Sequence, residues 1–316
     1  MDDQKMLHKR MRSSRIPLGV ESAASLVARR IEGALQAALE LGESSAGPPQ
    51  LAAAMRHAVF PGGARIRPQL CLAVARACGD TQPQLADGAA VAIELLHCAS
   101  LVHDDLPCFD DASLRRGLPS VHAAYGERIA VLTGDALIVL AFQAMAAAAG
   151  QAPHWLGPLL LTIARCVGAP AGIVAGQAWE CEPRVSLAAY HRAKTGSLFA
   201  ACTEAGALAS GADPVPWRNF GLSLGEAYQV ADDVRDVVAT TQALGKPAGR
   251  DSALQRPSSA SELGLGGAIE YFDRLVARAI DDIPACDGAD LLRALVRAES
   301  ERLVPQHSVR DLALAA

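Results

Sequence analysis

The sequence predicts an all-α fold in a single domain, built as a bundle of about ten or more helices. Of its 316 residues, 51% are hydrophobic and only 4% are aromatic, and alanine recurs throughout. Apolar residues return at spacings of three and four along almost the whole chain, as they do in helices with one buried face. No segment of useful length alternates between apolar and polar residues, so no strand is predicted.

The predicted helices are separated by glycine- and proline-containing turns, such as PGG at 61–63 and GKPAGR at 245–250. They run over 22–41, 49–59, 68–78, 84–104, 121–149, 154–175, 186–209, 216–240, 262–284 and 287–303. Residues 1–20 have mixed charge and no apolar run, so we expect a flexible arm before one domain at 21–316.

Composition narrows the class of function. A net charge of −5 with no basic stripe argues against a nucleic-acid partner. The longest apolar run, at 136–149, is short for a membrane span and contains Gln143, so none is predicted. The eight cysteines form no C-x-x-C pair and resemble small buried hydrophobes, which indicates a reducing, cytoplasmic location.

Two clusters of aspartates are the main chemical feature. Asp104, Asp105, Asp110 and Asp111 lie together in VHDDLPCFDD (102–111), at the predicted end of a helix, where the helix dipole already disfavours negative charge. A second cluster in QVADDVRD (229–236) includes Asp232 and Asp236, which share one face of an apolar helix. Either cluster alone is equally typical of a solvated acidic turn, but together they indicate sites for Mg2+, which uses carboxylates and substrate phosphates as ligands.

Cationic turns accompany the aspartates and suggest the second half of the site. They are Arg65 and Arg67 beside a Gly-Gly turn, Arg115 and Arg116, Lys194 in KTG, and Lys246 and Arg250 in GKPAGR. A glycine turn lets backbone N–H groups approach an anion, and arginine and lysine bind phosphate. Carboxylate clusters combined with such turns indicate a metal-bridged polyphosphate site.

The ordered motifs resemble those of the short-chain trans-prenyl diphosphate synthases. They are GG-x-R-x-RP, DD-x4-D with LRRG, KTG, Q-x2-DD-x2-D and GK-x2-G, and they span about residues 50–285. FPGGARIRP and LVHDDLPCFDD are most similar to the bacterial geranylgeranyl diphosphate synthases of carotenoid and bacteriochlorophyll pathways. The resemblance implies the isoprenoid synthase fold, a helical bundle around a deep central cavity, usually in a homodimer.

The resemblance also implies the reaction. Isopentenyl diphosphate would condense with an allylic diphosphate (dimethylallyl, geranyl or farnesyl) by ionisation, condensation and elimination, with about three Mg2+ ions in the substrate complex. The implied metal ligands are Asp104, Asp105, Asp110, Asp111, Asp232 and Asp236. Arg115, Lys194 and Lys246 would hold the allylic diphosphate, with Arg250 beside them. Gly63, Arg65, Arg67, His97 and Arg116 would form the isopentenyl diphosphate pocket. Thr195 and Gln229 would face the allylic cation, and Asp104, Asp110, Asp232, Lys194, Thr195 and Gln229 would be the catalytic group.

One departure from the family pattern concerns Ala64, where the family usually has lysine after the Gly-Gly pair. The substitution removes one expected contact to isopentenyl diphosphate. Either Arg65 compensates, or the affinity is weaker, or the chain is a weakly active partner subunit of a heteromeric synthase. Because the remaining ligand set is complete, an active enzyme is predicted.

Product length is expected to depend on Leu96, Ala99 and Ser100, which precede the first aspartate cluster. Ala99 stands where farnesyl-producing bacterial relatives resemble one another in having an aromatic residue. A small residue would leave the cavity open for a twenty-carbon geranylgeranyl product, with a fifteen-carbon farnesyl product as the alternative. In an alanine-rich chain, Ala99 is equally compatible with simple helix packing.

Three other functions fit less well. A terpene cyclase usually has Asn and Ser in its second metal site, but the one asparagine here is Asn219, and the 6 Phe, 4 Tyr and 3 Trp residues provide few aromatic walls. A head-to-head synthase would not need GG-x-R-x-RP. A non-catalytic subunit commonly loses aspartates that are intact here.

The Gly-, Pro- and Ser-rich segment 242–262 is predicted to be a lid over bound diphosphate, with a passive loop as the alternative.

Overall fold

The computed structural model describes residues 23–60, 62–184, 186–238 and 258–304. Within these ranges the regular secondary structure is helical apart from one small hairpin, as the composition and periodicity predict. The helices are α1 Ala23–Leu41, α2 Pro49–Val59, α3 Ile66–Ala77, α4 Pro83–Asp104, α5 Val121–Tyr125, α6 Glu127–Ala148, α7 Leu156–Val167, α8 Ile173–Trp179, α9 Leu187–His191, α10 Ser197–Ala209, α11 Trp217–Val238, α12 Ser259–Asp281 and α13 Ala289–Leu303. Strands β1 Leu114–Arg115 and β2 Leu118–Pro119 pair antiparallel.

Helices α4 and α10 form the centre of the bundle. Every residue of α10 is buried, and α10 packs against α3, α4, α7 and α11. Helix α4 packs mainly on α6, and a Cβ atom added at Gly88 would lie 2.3 Å from the Cβ of Ala148. Small residues therefore let these helices approach closely, and the apolar core extends without a break from α1 to α13.

The ten predicted helices agree with the structure in position, but three of them are subdivided, which gives the thirteen helices of the described residues. The helix predicted at 121–149 is broken at Gly126, whose φ of +84° ends α5 and begins α6. The helix predicted at 154–175 is two helices, α7 and α8. The helix predicted at 186–209 contains a π-helical turn, Arg192–Gly196, between α9 and α10.

The hairpin β1–β2 was not predicted, because strands of two residues are too short to show an alternating pattern. Its turn contains Arg116 and Gly117, which both have positive φ. This hairpin positions the two arginines of LRRG beside the first aspartate cluster.

Two described helices are long and apolar enough to cross a membrane, α4 and α6. In α4, 78% of the most apolar stretch is buried inside the fold, whereas in α6 the fraction is 44%. The sequence analysis excluded both helices because each contains charged residues, such as Glu94 in α4 and Asp135 in α6, and it left 136–149 as the longest apolar run. Helix α4 is a core helix of the bundle, and α6 has one face outside the core.

Candidate active site

The first aspartate cluster is assembled by a chain reversal at the end of α4. The helix ends at Asp104, and the backbone N–H of Asp110 then donates to the carbonyl of Asp104 at 2.9 Å. In the same loop the N–H of Ala112 donates to the carbonyl of Asp105 at 3.1 Å. The loop thus uses helix-terminal carbonyl groups that would otherwise lack partners, and it returns Asp110 to the side of Asp104.

A third carboxylate joins this pair. Carboxylate oxygens of Asp104, Asp110 and Glu180 all lie within 4.8 Å of one another. Oδ1 of Asp104 is buried without a hydrogen-bond partner, and burial raises the pKa of Asp104. An orphaned carboxylate oxygen in a cluster of three fits a hard divalent cation such as Mg2+.

Lys194 links the three carboxylates to the π-helical turn. Its Nζ forms an ion pair with Glu180 and lies 3.6 Å from Oδ1 of Asp104. Glu180 also accepts hydrogen bonds from the hydroxyl of Tyr190 at 2.7 Å and from Nε2 of Gln177 at 3.2 Å. Lys194 therefore provides positive charge at the edge of the cluster, on a helical irregularity of the kind that often marks functional sites.

The backbone around Lys194 is held by a close approach of α8. A Cβ atom added at Gly176 would lie 2.4 Å from both N and Cα of Lys194. No residue with a side chain fits there without moving the π-helical turn. Glycine at 176 thus determines how near Lys194 lies to Glu180.

Asp105 and Arg115 form the other edge of the first cluster. Asp105 is buried, and Nε of Arg115 donates to its Oδ1 at 3.0 Å. Burial raises the pKa of Asp105, and the guanidinium of Arg115 partly offsets this effect. The ion pair joins the hairpin to the end of α4.

The second aspartate cluster lies on α11 with its three carboxylates in different surroundings. Asp233 is buried and accepts hydrogen bonds from Nε2 of Gln229 at 3.0 Å and from the backbone N–H of Ser259 at 2.7 Å. Asp232 is partly exposed beside Arg235, with Nη1 3.6 Å from its Oδ1. Oδ1 of Asp236 is buried without a hydrogen-bond partner, so Asp236 offers an orphaned oxygen as Asp104 does.

An arginine-rich cavity of about 330 Å³ is lined by Asp232 of the second cluster and by Arg115, which pairs with Asp105 of the first. Its walls include Gly63 and Ala64 of the Gly-Gly turn, His97 of α4 and Asp232 of α11. Six arginines contribute to the lining: Arg65, Arg67, Arg115, Arg116, Arg235 and Arg302. Among the described residues, the acidic side chains of the lining are Glu94 and Asp232, so the cavity favours a polyanion.

Arg67 and His97 are paired inside this cavity. Nη1 of Arg67 lies 3.2 Å from Nε2 of His97. Burial, followed by the charges of Arg67 and Arg116, lowers the pKa of His97 well below its usual value. His97 is therefore neutral and accepts from Arg67. The Nε of Arg67 remains buried without a partner, which is a donor available to an anion.

Comparison with known proteins decides the family. The polyprenyl synthetase family profile matches residues 48–265. The chain belongs to the polyprenyl synthetase family. A Cereibacter sphaeroides protein named geranylgeranyl diphosphate synthase is 52% identical over 277 residues, which cover 88% of this chain and 96% of that protein. A Rhodobacter capsulatus protein of the same name is 48% identical over 279 residues, 87% of this chain and 96% of that protein.

Solved structures give the same assignment. A Helicobacter pylori geranyltransferase, complexed with magnesium and isoprenyl diphosphate, superimposes with a TM-score of 0.77 and 31% sequence identity. The match covers 90% of this chain and 99% of that chain. The fold of this polyprenyl synthetase is thus the all-helical prenyltransferase fold that the sequence motifs imply.

Arg65 lines the cavity, but its guanidinium is bonded to acceptors within the protein. It is buried, its Nε donates to Glu32 at 2.8 Å, and its Nη1 donates to Glu94 at 2.7 Å. Its Nη2 donates to the carbonyl of Val59 at 2.8 Å. These partners use most of its five N–H donors, so Arg65 holds the Gly-Gly turn in place and has little capacity to replace a lysine at 64.

The predicted product-length residues lie on α4 before the first cluster. Leu96 and Ala99 are buried, and Ser100 is half-buried with its hydroxyl donating to the carbonyl of His97 at 2.8 Å.

Among the predicted metal ligands, Asp111 is exposed, with a φ of +47°.

Part of the predicted site cannot be placed. Lys246, Arg250 and most of the predicted lid at 242–262 lie outside the described residues. Residues 259–262 form the first turn of α12, which begins three residues before the predicted start of that helix, and Ser258 caps it.

The residues that sequence reasoning missed include Glu180 of the first cluster and two cavity arginines, Arg235 and Arg302. Glu180 is the residue that ends α8, so it is another carboxylate at the unfavourable end of a helix. The argument applied to Asp104 and Asp105 did not reach it, because the predicted helix ended at 175 and the observed one ends at Trp179. Arg302 has no comparable signal, because its position in the cavity depends on the packing of α13 against α3.

Proposed function

We propose that this polyprenyl synthetase is a Mg2+-dependent trans-prenyltransferase that condenses isopentenyl diphosphate with allylic diphosphates. The observation that carries the proposal is the continuity of the carboxylate clusters with the arginine-rich cavity. Asp232 lines the cavity directly, and Arg115 both lines it and pairs with Asp105. Two diphosphates can thus bind side by side, one on the carboxylates through metal and one among the arginines.

The residues present fit Mg2+, as the orphaned oxygens of Asp104 and Asp236 indicate. Asp104 and Asp110 would hold metal at the first cluster, and Asp232 and Asp236 would hold it at the second. When bound, Mg2+ would supply the positive charge that makes diphosphate a leaving group.

The protein's own cations complete the stabilisation of the leaving group. Lys194, which lies between Glu180 and Asp104, would donate to the departing diphosphate from a fixed position, as would Arg115. The hydroxyl oxygen of Thr195, held by its bond to Oε1 of Gln229 at 2.6 Å, would turn a lone pair toward the allylic cation. Fixed dipoles need no reorganisation as charge develops.

The second substrate would bind in the cavity. Arg67 and Arg116 would hold the diphosphate of isopentenyl diphosphate, with backbone of the Gly-Gly turn at Gly63 beside them. A Cβ atom at Gly63 would lie 2.9 Å from Nε of Arg116, so glycine allows this arginine its position. The double bond then attacks the allylic cation, one proton is lost, and the released diphosphate is a base within reach. The reaction would require that water, which would quench the cation, be kept away from it.

We propose geranylgeranyl diphosphate as the product. Ala99 gives little bulk on α4 ahead of Asp104, and the two bacterial relatives carry the corresponding name. Farnesyl diphosphate is the alternative. The assay is incubation with radiolabelled isopentenyl diphosphate, Mg2+ and each allylic starter, followed by product chromatography, with Asp104→Asn as the inactive control. A fifteen-carbon product would retain the reaction and reject the product length. Failure to elongate any starter would favour the weakly active partner subunit.

A homodimer is the proposed assembly. Val131, Leu132, Val139 and Phe142 are exposed on α6 and fall within about 100° of one helical face. Such a stripe would be covered by the same helix of a second copy. Light scattering after gel filtration tests this, because Val139→Asp should give a monomer and Val215→Asp, at an exposed site elsewhere, should not.

We further propose a cytoplasmic enzyme of carotenoid-type isoprenoid synthesis, on the basis of the motif resemblance and product length. Co-expression with enzymes that convert a twenty-carbon diphosphate into coloured carotenoids would test it. Colour that appears with the intact protein and is lost with Asp104→Asn would support the proposal. Absence of colour with both would contradict it.

A further inference from the structure

The cavity that we assign to isopentenyl diphosphate has Ala64 where its family usually places lysine. We infer that Arg302, on α13, is a binding residue for this diphosphate and supplies the positive charge that Ala64 lacks. The inference rests on the proposed function, because it identifies a further contact in the same cavity. It also assigns a role to the end of α13, which none of the sequence motifs includes.

The other arginines of the cavity leave a need for such a residue. Arg65, Arg115 and Arg235 each have a carboxylate partner: Glu94 and Glu32, Asp105, and Asp232 respectively. Among the described residues, Arg67 and Arg116 are the two cavity arginines without one. A diphosphate carries more negative charge than two arginines neutralise well, and each further charge-assisted hydrogen bond strengthens binding.

Arg302 has the geometry of an oriented donor. Its Nε and Nη2 donate to Oε2 of Glu299, at 3.0 Å and 2.7 Å. Glu299 lies one turn earlier on α13, and it therefore fixes one edge of the guanidinium. The Nη1 group has no acceptor among the described residues, and the side chain is half-exposed at the cavity wall. A bidentate carboxylate that orients an arginine leaves its remaining N–H groups available for phosphate.

Several charged residues of the cavity affect the pKa of the Tyr228 hydroxyl. Burial and then the charge of Asp232 raise the pKa of Tyr228, whereas Arg67, Arg235 and Arg302 act in the opposite direction. Arg302 therefore acts on the same volume as Arg67, although the two residues are far apart in the chain. Their closeness follows from the packing of α13 against α3, the helix that begins directly after the Gly-Gly turn.

Position 64 can accept the missing lysine. Ala64 is exposed at the cavity wall, and its carbonyl already accepts from Nε2 of Gln69 at 2.9 Å, which holds the turn. A lysine side chain there would extend from the surface into the cavity without displacing core residues. Ala64→Lys is thus a rescue substitution for the loss of Arg302.

The experiment compares Arg302→Gln with the double variant Ala64→Lys/Arg302→Gln. Binding of radiolabelled isopentenyl diphosphate is measured by equilibrium dialysis, and KM for each substrate and kcat are measured by turnover. Arg302→Gln should weaken isopentenyl diphosphate binding by about 10- to 100-fold and raise its KM alike, with the KM for allylic diphosphate and kcat within about threefold of wild type. The double variant should return to within about threefold of wild type.

Arg297→Gln is the matched control, because Arg297 is an exposed arginine on the same helix and does not line the cavity. It should leave both affinities unchanged. Unaltered binding in Arg302→Gln would overturn the inference. So would an equal loss of affinity for both substrates, or failure of Ala64→Lys to restore binding, because either indicates a structural role. If the wild-type protein binds isopentenyl diphosphate without elongating it, the proposed reaction fails while the dialysis still decides the role of Arg302.

Discussion

The hydroxyl of Thr195 donates to Oε1 of Gln229 across 2.6 Å and so ties the π-helical turn to α11. The same Gln229 donates through Nε2 to Asp233, which in turn accepts the N–H of Ser259 at the start of α12. One chain of hydrogen bonds therefore connects three elements of the site. It also separates the functions of two adjacent aspartates, because Asp233 is committed to this network and Asp232 faces the cavity.

Substitution of Asp233 should reduce stability, whereas substitution of Asp232 should reduce turnover. Asp233→Ala removes the acceptor of two donors, and it should lower the free energy of unfolding by about 3 kcal/mol. Asp232→Ala removes a partly exposed carboxylate, so stability should change by less than about 0.5 kcal/mol while kcat falls at least about 100-fold. Urea denaturation and turnover measure the two effects. Equal losses of stability would contradict this division.

Glu180 should contribute to metal binding. Glu180→Gln removes one negative charge from the cluster with Asp104 and Asp110, so affinity for Mg2+ should fall by about 10- to 100-fold. Titration of the diphosphate complex with Mg2+, followed by activity and calorimetry, gives the affinity. Glu182→Gln is the control, because Glu182 is exposed two residues later and should leave the affinity unchanged. Equal behaviour of the two variants would count against Glu180.

Bulk at position 99 should shorten the product. Ala99 is 1% exposed on α4, five residues before Asp104, so a phenylalanine there would occupy space below the cluster. We expect Ala99→Phe to convert most product from twenty to fifteen carbons, and Ala99→Leu to give a mixture. Overpacking should lower stability by about 1–3 kcal/mol. Chromatography of the products is the readout, and an unchanged twenty-carbon product from a folded Ala99→Phe protein would reject this role.

His191 should make stability depend on pH. Burial lowers the pKa of His191 from 6.5 to about 4, although its Nε2 lies 3.8 Å from Oδ2 of the buried Asp233. Below about pH 6.5 the unfolded chain binds a proton that the folded chain does not bind until about pH 4. Above pH 6.5 His191 therefore has no pH-dependent effect on the free energy of unfolding. As pH falls toward 4, this free energy decreases by about 3 kcal/mol. Unfolding measured from pH 7.5 to 4 should show a smaller slope for His191→Gln, and identical slopes would contradict the assignment.

Much of the fold was predictable because it depends on periodicity. The spacing of apolar residues locates helices such as α3 and α11 to within a few residues, and the position of Asp104 at a helix end is confirmed. The irregular elements between the helices could not be recognised from the sequence in this way. The π-helical turn Arg192–Gly196 has Ala193 as its one apolar side chain, and a hairpin with strands of two residues is equally short, so neither has a period to detect.

The charges of the site were easier to identify than their partners. Motif order indicated Asp104, Asp110, Lys194 and Arg67 as neighbours of bound diphosphate, and the prediction of family membership is confirmed. Motif order could not show that the guanidinium of Arg65 is hydrogen-bonded to Glu32 and Glu94, because these partners are about 30 residues away on other helices. Long-range pairing of this kind depends on tertiary packing, and local sequence does not encode it visibly.

The approach of α8 to the backbone of Lys194 has a consequence for engineering. In a deep mutational scan, position 176 should tolerate almost no replacement, and its variants should lose turnover while remaining folded. A residue with no functional group would then score like a catalytic one. Libraries intended to change product length should therefore keep Gly176 constant and direct their diversity to α4.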